Sequence, residues 1–354
     1  MLRASMALVS LIWASSATAQ TKELQLVEEL RLGSADGSEA NMFGDIQDMA
    51  VDPDGRIYVI DTAMKNVRLF GRDGRLIRQF APEGDGPGER RHRRMSSFSG
   101  PARVTWDKNR GWLWIDDGYQ FQIMDSLGVE YRREVRTGTL NENPNDPVGK
   151  LMAVDTQGHI YEYQRDYQPG ASGDSSFSYI ARGVATPDYG TRYRDTLVID
   201  ARLLVTEGTQ TNMRTVGRVL ATVAMTTKRP ERAERIWTVS PDGAIWIADS
   251  QERRIHELGF AGDTIRTLDV GFGIAELDVS PEGWVWVRYA TEGESTWDLI
   301  DNCGVSRGSV SVPQPVSVTE VGSGGTVHMV SADELDIEYI MRLQLKGEAV
   351  TSTC

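Results

Sequence analysis

The chain has 354 residues, 40% of them hydrophobic, and its 38 basic and 51 acidic residues give a formal net charge of −13. An acidic surface repels phosphate backbones, which argues against nucleic acid as a partner. Beyond the N-terminus no stretch approaches the ~20 apolar residues that a membrane-spanning helix needs. The totals therefore predict a soluble globular protein without a membrane span.

The first 19 residues have the three-part layout of a secretory signal peptide. Arg3 supplies a short positive region, residues 6–13 form an apolar run broken only by Ser10, and Ala17-Thr18-Ala19 is a small-x-small cleavage site. We therefore expect residues 1–19 to be a signal peptide and the mature protein to be exported, either to a periplasm or outside the cell.

A short motif returns roughly every 40 to 55 residues along the mature chain. Its clearest copy, residues 51–61, reads Val-Asp-Pro-Asp-Gly followed by an alternating apolar run, and it recurs at 239–249 and 279–287. Pro presets the first corner of a turn, and Gly supplies a left-handed position, so each copy predicts a β-hairpin. Looser copies are residues 107–115, 154–161 and 321–329.

After each turn glycine the residues alternate between two faces, as a β-strand requires. One face is aliphatic, at Ile57, Leu113, Ile160, Ile245, Val285 and Val327. The next position is aromatic in five copies, at Tyr58, Trp114, Tyr161, Trp246 and Trp286, and is His328 in the sixth. Large side chains at equivalent positions are typical of sheets that stack face to face around an axis.

Two further strands follow in the best copies, at 67–70 and 76–80 and again at 254–258 and 264–268. These features predict an all-β fold, a six-bladed β-propeller with four-stranded antiparallel blades. The strand-like segment 24–32 precedes the first inner strand, so we expect it to pair with the last blade and close the ring.

The blade count depends on one long interval of 85 residues between Gly158 and Gly243. It has room for an insertion at about 201–235 or for a degenerate seventh blade, which leaves seven blades as the alternative. In either case we expect residues 20–354 to be one propeller domain.

The repeat resembles that of the NHL family of propellers. The resemblance rests on residues 50–59, Asp61, residues 66–70, the Asp73-Gly74 turn and the Gly-rich loop at 83–89. The loop also resembles the connector of exported bacterial six-bladed propellers of unassigned role. The resemblance implies a fold, and because related propellers serve as binding platforms, lyases and lactonases, it leaves function open.

Carboxylates near the starts of inner strands are the candidate metal ligands, because enzymatic propellers bind ligands at the channel mouth. Hard oxygen ligands of this kind suit Ca²⁺. The candidates are Asp45, Asp48, Glu276, Asp278 and Glu320. Solvated loop carboxylates on an acidic protein are the competing interpretation, and it is the favoured one, so no cofactor is predicted and Ca²⁺ is the alternative.

A histidine-based site is not expected, because none of the four histidines lies at an inner-strand mouth. They are His92, His159, His256 and His328. Exposed tryptophans at 112, 284 and 297 could form a stacking surface, although burial between blades is the better interpretation. In an oxidising compartment the two cysteines, Cys303 and Cys354, are expected to form a disulfide rather than stay as free thiols.

The function that follows is a non-catalytic binding or scaffold module, acting as a monomer on a protein, peptide or saccharide recognised at one rim of the ring. The alternative is a metal-dependent hydrolase or lyase of the lactonase type, with its site in the central channel.

Overall fold

The protein is all-β in the computed structural model. The structure describes residues 24–36, 41–84, 86, 88–89, 103–116, 120–135, 152–168, 174–186, 190–204, 235–249, 253–259, 263–289, 294–313 and 316–347. A three-residue 3₁₀ turn lies at Ser323–Gly325. In the described ranges, no helix has the length and apolar character needed to traverse a membrane.

Within these ranges, 24 strands form six four-stranded antiparallel sheets. The first sheet contains β2 (Ile46–Val51), β3 (Ile57–Asp61), β4 (Asn66–Phe70) and β5 (Leu76–Phe80). The second contains β6 (Arg103–Asp107), β7 (Trp112–Asp116), β8 (Gln120–Met124) and β9 (Glu130–Val135). The third contains β10 (Met152–Val154), β11 (His159–Gln168), β12 (Asp174–Thr186) and β13 (Gly190–Leu204).

The remaining three sheets follow in chain order. The fourth contains β14 (Arg235–Val239), β15 (Ile245–Asp249), β16 (Arg254–Leu258) and β17 (Thr264–Asp269). The fifth contains β18 (Ile274–Val279), β19 (Val285–Tyr289), β20 (Glu294–Ile300) and β21 (Ser306–Pro313). The sixth contains β22 (Val316–Val321), β23 (Thr326–Ala332), β24 (Glu338–Lys346) and, at its outer edge, β1 (Gln25–Leu32).

The sixth sheet combines the two ends of the described chain. Its strand order is β1-β24-β23-β22, and β1 runs antiparallel to β24 from the pair Gln25–Lys346 to the pair Leu32–Ile340. The predicted closing strand at 24–32 is confirmed.

In the first hairpin turn a buried aspartate and a left-handed glycine cooperate. Asp52 Oδ1 accepts hydrogen bonds from the backbone N–H groups of Asp54 and Arg56, both at 2.9 Å. Gly55 has φ of +77°, a conformation that glycine adopts without steric cost. The same aspartate turn recurs with Asp125, Asp155, Asp301 and Asp333.

The second strand of each sheet packs one face against the preceding sheet and the other against the next. In the first sheet, Ile57 and Val59 join a buried cluster with Val330 of the sixth sheet, whereas Tyr58 joins a cluster with Trp106 of the second. The same division holds for Ile245 and Trp246 and for Val285 and Trp286. The two predicted faces, aliphatic and aromatic, are confirmed as opposite seams between sheets.

The sheets contact one another in chain order, and the sixth returns to the first. The first strands β2, β6, β10, β14, β18 and β22 contact their counterparts at most of these seams, so they lie at the centre of the ring. Between the third and fourth sheets, Tyr161 and Trp237 share a buried cluster, and the Thr156 N–H donates to Pro241 O at 2.8 Å. The arrangement is that of a β-propeller.

The third sheet differs from its neighbours in length. Its strands β11, β12 and β13 have 10, 13 and 15 residues, whereas β3, β4 and β5 have five each. Residues 201–204, assigned from sequence to an insertion or seventh blade, belong to β13, and β14 begins at Arg235. The rest of that segment, residues 205–234, lies outside the described residues, as does the predicted signal peptide.

Candidate functional site: the connector rim and the inner strands

The ring has two rims, and the inner strands all begin at one of them. We call this the connector rim; it carries residues 41–45 and 270–273, which lead into β2 and β18, and the turns 62–65 and 333–337, which follow β3 and β23. The aspartate turn at 52–56 lies at the opposite rim. The candidate ligands predicted from sequence all lie on inner strands or just before them.

Three of the predicted metal ligands accept backbone hydrogen bonds across the seams between sheets. Asp48 Oδ2 accepts the Val104 N–H at 2.9 Å, joining the first inner strand to the second. Glu320 Oε2 accepts the Val51 N–H at 3.2 Å, joining the sixth sheet to the first.

Asp278 has the same role between the fifth and sixth sheets. It is buried, and its Oδ2 accepts the Val321 N–H at 3.4 Å while its Oδ1 accepts the N–H of Val279 at 2.9 Å. An edge N–H of an inner strand has no ladder partner on that side, so a carboxylate from the adjacent sheet satisfies it. Asp48, Asp278 and Glu320 therefore act as seam clamps.

The other two predicted ligands have different partners. Asp45 accepts hydrogen bonds from the side chains of Gln47, at 2.6 Å, and Thr62. Glu276 forms an ion pair with Arg288, with a distance of 2.9 Å between Oε2 and Nε. Within the ranges that the structure describes, no three His, Cys, Asp or Glu side chains converge as a set of metal ligands. A calcium site formed by these five residues stays the alternative to the favoured interpretation of solvated carboxylates.

A buried ion pair below the connector rim was not anticipated from the sequence. Arg68 Nη2 donates to Asp61 Oδ2 at 2.5 Å, its Nη1 donates to Met42 O at 2.7 Å, and both charged side chains are buried. The guanidinium lies 4.2 Å from the Phe43 ring centroid. Burial lowers the pKa of Arg68, and the adjacent Asp61 carboxylate opposes that shift.

The same aspartate organises the surrounding loops. Asp61 accepts backbone hydrogen bonds from Gly44 at 3.1 Å, Asp45 at 3.3 Å and Met64 at 3.1 Å. One sequence pattern could have indicated a structural role for Asp61. An aspartate ends the second strand in three sheets, at Asp61, Asp116 and Asp249. The Arg68–Asp61 pair fixes the loops of the connector rim where the first and sixth sheets meet.

Glu338 adds a further carboxylate at that seam. Its Oε2 accepts the Ile46 N–H at 2.7 Å. Burial raises the pKa of Glu338; the bond from Ile46 opposes this, and the carboxylates of Asp45 and Asp61 add to the rise. The mouth of the first inner strand is therefore a region of concentrated negative charge.

Backbone amides of the Gly-rich connector after the first sheet donate to two glutamates, one in the connector and one in β9 of the second sheet. The Gly86 N–H donates to Glu89 Oε2 at 2.7 Å, and the Gly88 N–H donates to Glu130 Oε2 at 2.9 Å. Gln122 Nε2 in turn donates to Glu89 O at 2.6 Å. These contacts anchor the loop on the second sheet.

The described histidines lie on second and third strands, as expected. His159 Nδ1 is 2.8 Å from Asp155 Oδ2, and His256 Nδ1 is 3.0 Å from Thr267 Oγ1. His328 is buried at the seam between the sixth and first sheets, and neither ring nitrogen has a hydrogen-bond partner in the described structure. Burial, with a smaller contribution from Arg342, lowers the pKa of His328 to about 4. His92 lies outside the described residues.

Trp284 and Trp297 are buried and Trp112 is half-buried, which agrees with the favoured interpretation of burial between blades over an exposed stacking surface. Trp284 and Trp297 belong to the core cluster between the fifth and sixth sheets, and the Arg110 guanidinium lies 5.5 Å from the ring centroid of Trp112. Cys303 lies in the β20–β21 turn, where its N–H donates to Asp301 Oδ1 at 2.9 Å. Because Cys354 lies outside the described residues, the disulfide remains a prediction.

Large apolar side chains are exposed on the connector rim. They are Met42, Phe272, which is 67% exposed, and Leu335, which is 78% exposed. The Arg253 guanidinium lies 4.7 Å from the Phe272 ring centroid. Beside it, the Gly271 N–H donates to the Tyr289 hydroxyl at 3.0 Å, and burial raises the pKa of Tyr289 to about 12.

No protein-family model matches the sequence, and no curated protein shows significant sequence similarity to it. Among solved structures, a Bacteroides fragilis protein described as exported is similar over 92% of this chain and 96% of that one, with 11% identity and a TM-score of 0.51. A member of the DUF4221 family from Bacteroides vulgatus is similar over 93% and 100%, with 8% identity and a TM-score of 0.50.

A virginiamycin B lyase from Staphylococcus aureus is similar over 92% of this chain and 90% of that one, with 12% identity and a TM-score of 0.42. Identities this low show the fold alone, and the shared fold is a β-propeller of small antiparallel four-stranded sheets.

Proposed function

We propose that the protein is an exported, monomeric, non-catalytic β-propeller that binds a protein, peptide or saccharide at its connector rim. The observation that carries the proposal is the length of the third sheet. Among the described residues, β11 pairs with the inner strand β10 through residues 160–162, and it continues to Gln168. At ~3.4 Å per residue, the last five residues of β11 add ~17 Å of strand in the direction of the connector rim.

This extension is a three-stranded β-sheet. Residues 164–168 of β11 pair with 175–179 of β12, and β12 pairs in turn with 198–204 of β13. A projecting sheet beside a rim of connecting loops offers a partner both backbone edges and side chains. In the sequence, the Thr- and Arg-containing segment 205–234 follows β13 directly.

The seam clamps support a rigid platform rather than a reaction centre. Asp48, Asp278 and Glu320 hold neighbouring inner strands by hydrogen bonds to their backbones. A carboxylate that accepts a backbone N–H has part of its acceptor capacity committed to the fold. Rigid rims with varied loops are the usual place for recognition.

We further infer that each of the six four-stranded sheets is one blade of an NHL-like ring. The support is the recurrence of the Pro-Asp-Gly or Pro-Glu-Gly hairpin at 53–55, 241–243 and 281–283, together with the seam contacts described above. On this reading, residues 20–354 form one propeller domain, and residues 1–19 are removed on export.

The test is a comparison of the full mature chain with a variant in which residues 165–178 are replaced by Asn-Gly. Gln164 and Tyr179 are directly opposite in the ladder, so a two-residue type I′ turn can join them. Both proteins are assayed on a glycan array and a displayed-peptide library. We expect the variant to keep its melting temperature and lose at least about tenfold in affinity for any ligand found.

The control is Ile265→Ser, which changes an exposed side chain of β17 away from the extension. Absence of any ligand, or equal binding by the shortened variant, would contradict the proposal. A thermal-shift series with Ca²⁺, Mg²⁺, Zn²⁺ and a chelator tests the metal-dependent alternative. A metal that raises the melting temperature, with reversal by chelator, would favour the lactonase-like reading and point to the five candidate carboxylates.

A further inference from the structure

Seven half-buried or buried arginines in the described part of the chain are paired with carboxylates. The pairs are Arg56–Asp52, Arg68–Asp61, Arg110–Asp107, Arg266–Glu257, Arg288–Glu276, Arg307–Asp301 and Arg342–Glu29. On a chain of net charge −13, a carboxylate partner for each partly buried cation is the expected arrangement.

Arg103 departs from this pattern. It is half-buried at the first position of the inner strand β6, where the second sheet meets the connector rim. Its guanidinium forms one hydrogen bond, a long one of 3.4 Å from Nη1 to Gln47 O in the neighbouring inner strand. Its Nε–H is buried with no acceptor, and no carboxylate in the described part of the chain forms an ion pair with it.

Two carboxylates lie on neighbouring strands. Asp48 follows Gln47 and accepts the Val104 N–H, so its carboxylate is held by the seam. Asp116 is opposite Arg103 in the β6–β7 ladder and is buried. The hydrogen-bonding capacity of the Arg103 guanidinium therefore exceeds what the described protein uses.

We propose that Arg103 binds an oxyanion of a small ligand, a carboxylate or a phosphate group, at the mouth of the ring. The planar guanidinium fork matches both groups, and a partly desolvated donor gains more from a charged acceptor than an exposed one does. The inference deepens the binding function proposed above and rests on it only for the biological ligand, because the site itself can be tested with simple anions.

The readout is the ¹H–¹⁵N signal of the arginine Nε–H groups in the full mature protein. Arg103→Lys identifies the Arg103 signal by its loss. Sodium phosphate, and separately sodium acetate, is then titrated to about 100 mM at constant ionic strength. We expect the Arg103 signal to move saturably with the anion it binds, and the separate titrations distinguish a phosphate from a carboxylate site.

Arg78 supplies the matched control, because its Nη1 also donates to a backbone carbonyl of the adjacent sheet, Leu127 O at 3.1 Å, on the outermost strand. Its signal should not move. In thermal-shift assays, Arg103→Gln should lower the affinity for the anion by at least about tenfold, whereas Arg78→Gln should leave that affinity unchanged.

An Arg103 signal that stays fixed in both titrations, in a folded protein, overturns the proposal. An equal rise in melting temperature for wild type and Arg103→Gln does the same. Either outcome leaves the rim-binding function intact, since the glycan and peptide assays do not depend on Arg103.

Discussion

Replacement of His328 by phenylalanine should remove an acid-sensitive element from the seam between the sixth and first sheets. His328 occupies the position that is Tyr or Trp in the other five sheets, is 4% exposed, and has no hydrogen-bond partner for either ring nitrogen in the described structure. Its cross-strand neighbours are Glu320 in β22 and Arg342 in β24. Phenylalanine keeps a ring there without a titratable group.

The magnitude follows from the difference in pKa between folded and unfolded states. Burial lowers the pKa of His328 from an ordinary 6.5 to about 4. The unfolded chain therefore takes up the proton first as pH falls, so this stability is fully present above 6.5 and is lost progressively toward 4. Between about pH 7 and pH 4.5, the loss of unfolding free energy due to this group should be roughly 2–3 kcal/mol.

The assay is urea unfolding of wild type and His328→Phe at both pH values, followed by tryptophan fluorescence. We expect wild type to lose roughly 2–3 kcal/mol more than the variant on acidification, whatever the stability difference between them near neutrality. His256→Phe, on a third strand, controls for the loss of a histidine as such. Parallel losses in wild type and His328→Phe would refute the reasoning.

Four other outcomes can be checked by urea unfolding or mass spectrometry. Arg68→Met leaves a buried carboxylate unpaired and should cost about 3–5 kcal/mol of unfolding free energy. Asp278→Ala removes a seam clamp and should cost about 1–3 kcal/mol, whereas Asp278→Asn, which keeps an oxygen acceptor, should cost less. Tyr58→Phe removes a hydroxyl that bonds Asp52 at 3.0 Å and the next sheet, and should cost about 1–2 kcal/mol. Non-reducing peptide mapping should recover Cys303 and Cys354 in one linked peptide pair; two separate thiol peptides would disprove the disulfide.

The repeat made most of the fold predictable. A hairpin needs a glycine at a left-handed position and strands that alternate, and both signals are local in sequence. The turn glycines Gly55, Gly158 and Gly243 have φ of +77°, +78° and +93°. The opposite packing of Ile57 and Tyr58 followed from the same alternation.

The candidate site was less predictable, because its contacts join different sheets. Asp48 was correctly placed on an inner strand, but its bond to the Val104 N–H depends on how two sheets stack, which no local pattern encodes. The length of β13 also escaped prediction. Residues 190–204 contain no Asp-Gly turn signal that would mark the strand in the sequence. The length of β13 comes from its pairing with β12 along the whole strand rather than from the β-propensity of its own residues.

The pairing of β1 with β24 has a consequence for how the chain reaches its native state. Contacts such as Leu26–Leu345 join residues from opposite ends of the described chain, and pairing at that separation is entropically costly and slow. Until residues 338–346 have been synthesised and delivered, the sixth sheet lacks two of its strands, and the apolar seams on either side of it stay open to solvent. We therefore expect ring closure to be the late step of folding, and an unclosed chain to be the species most exposed to aggregation and proteolysis.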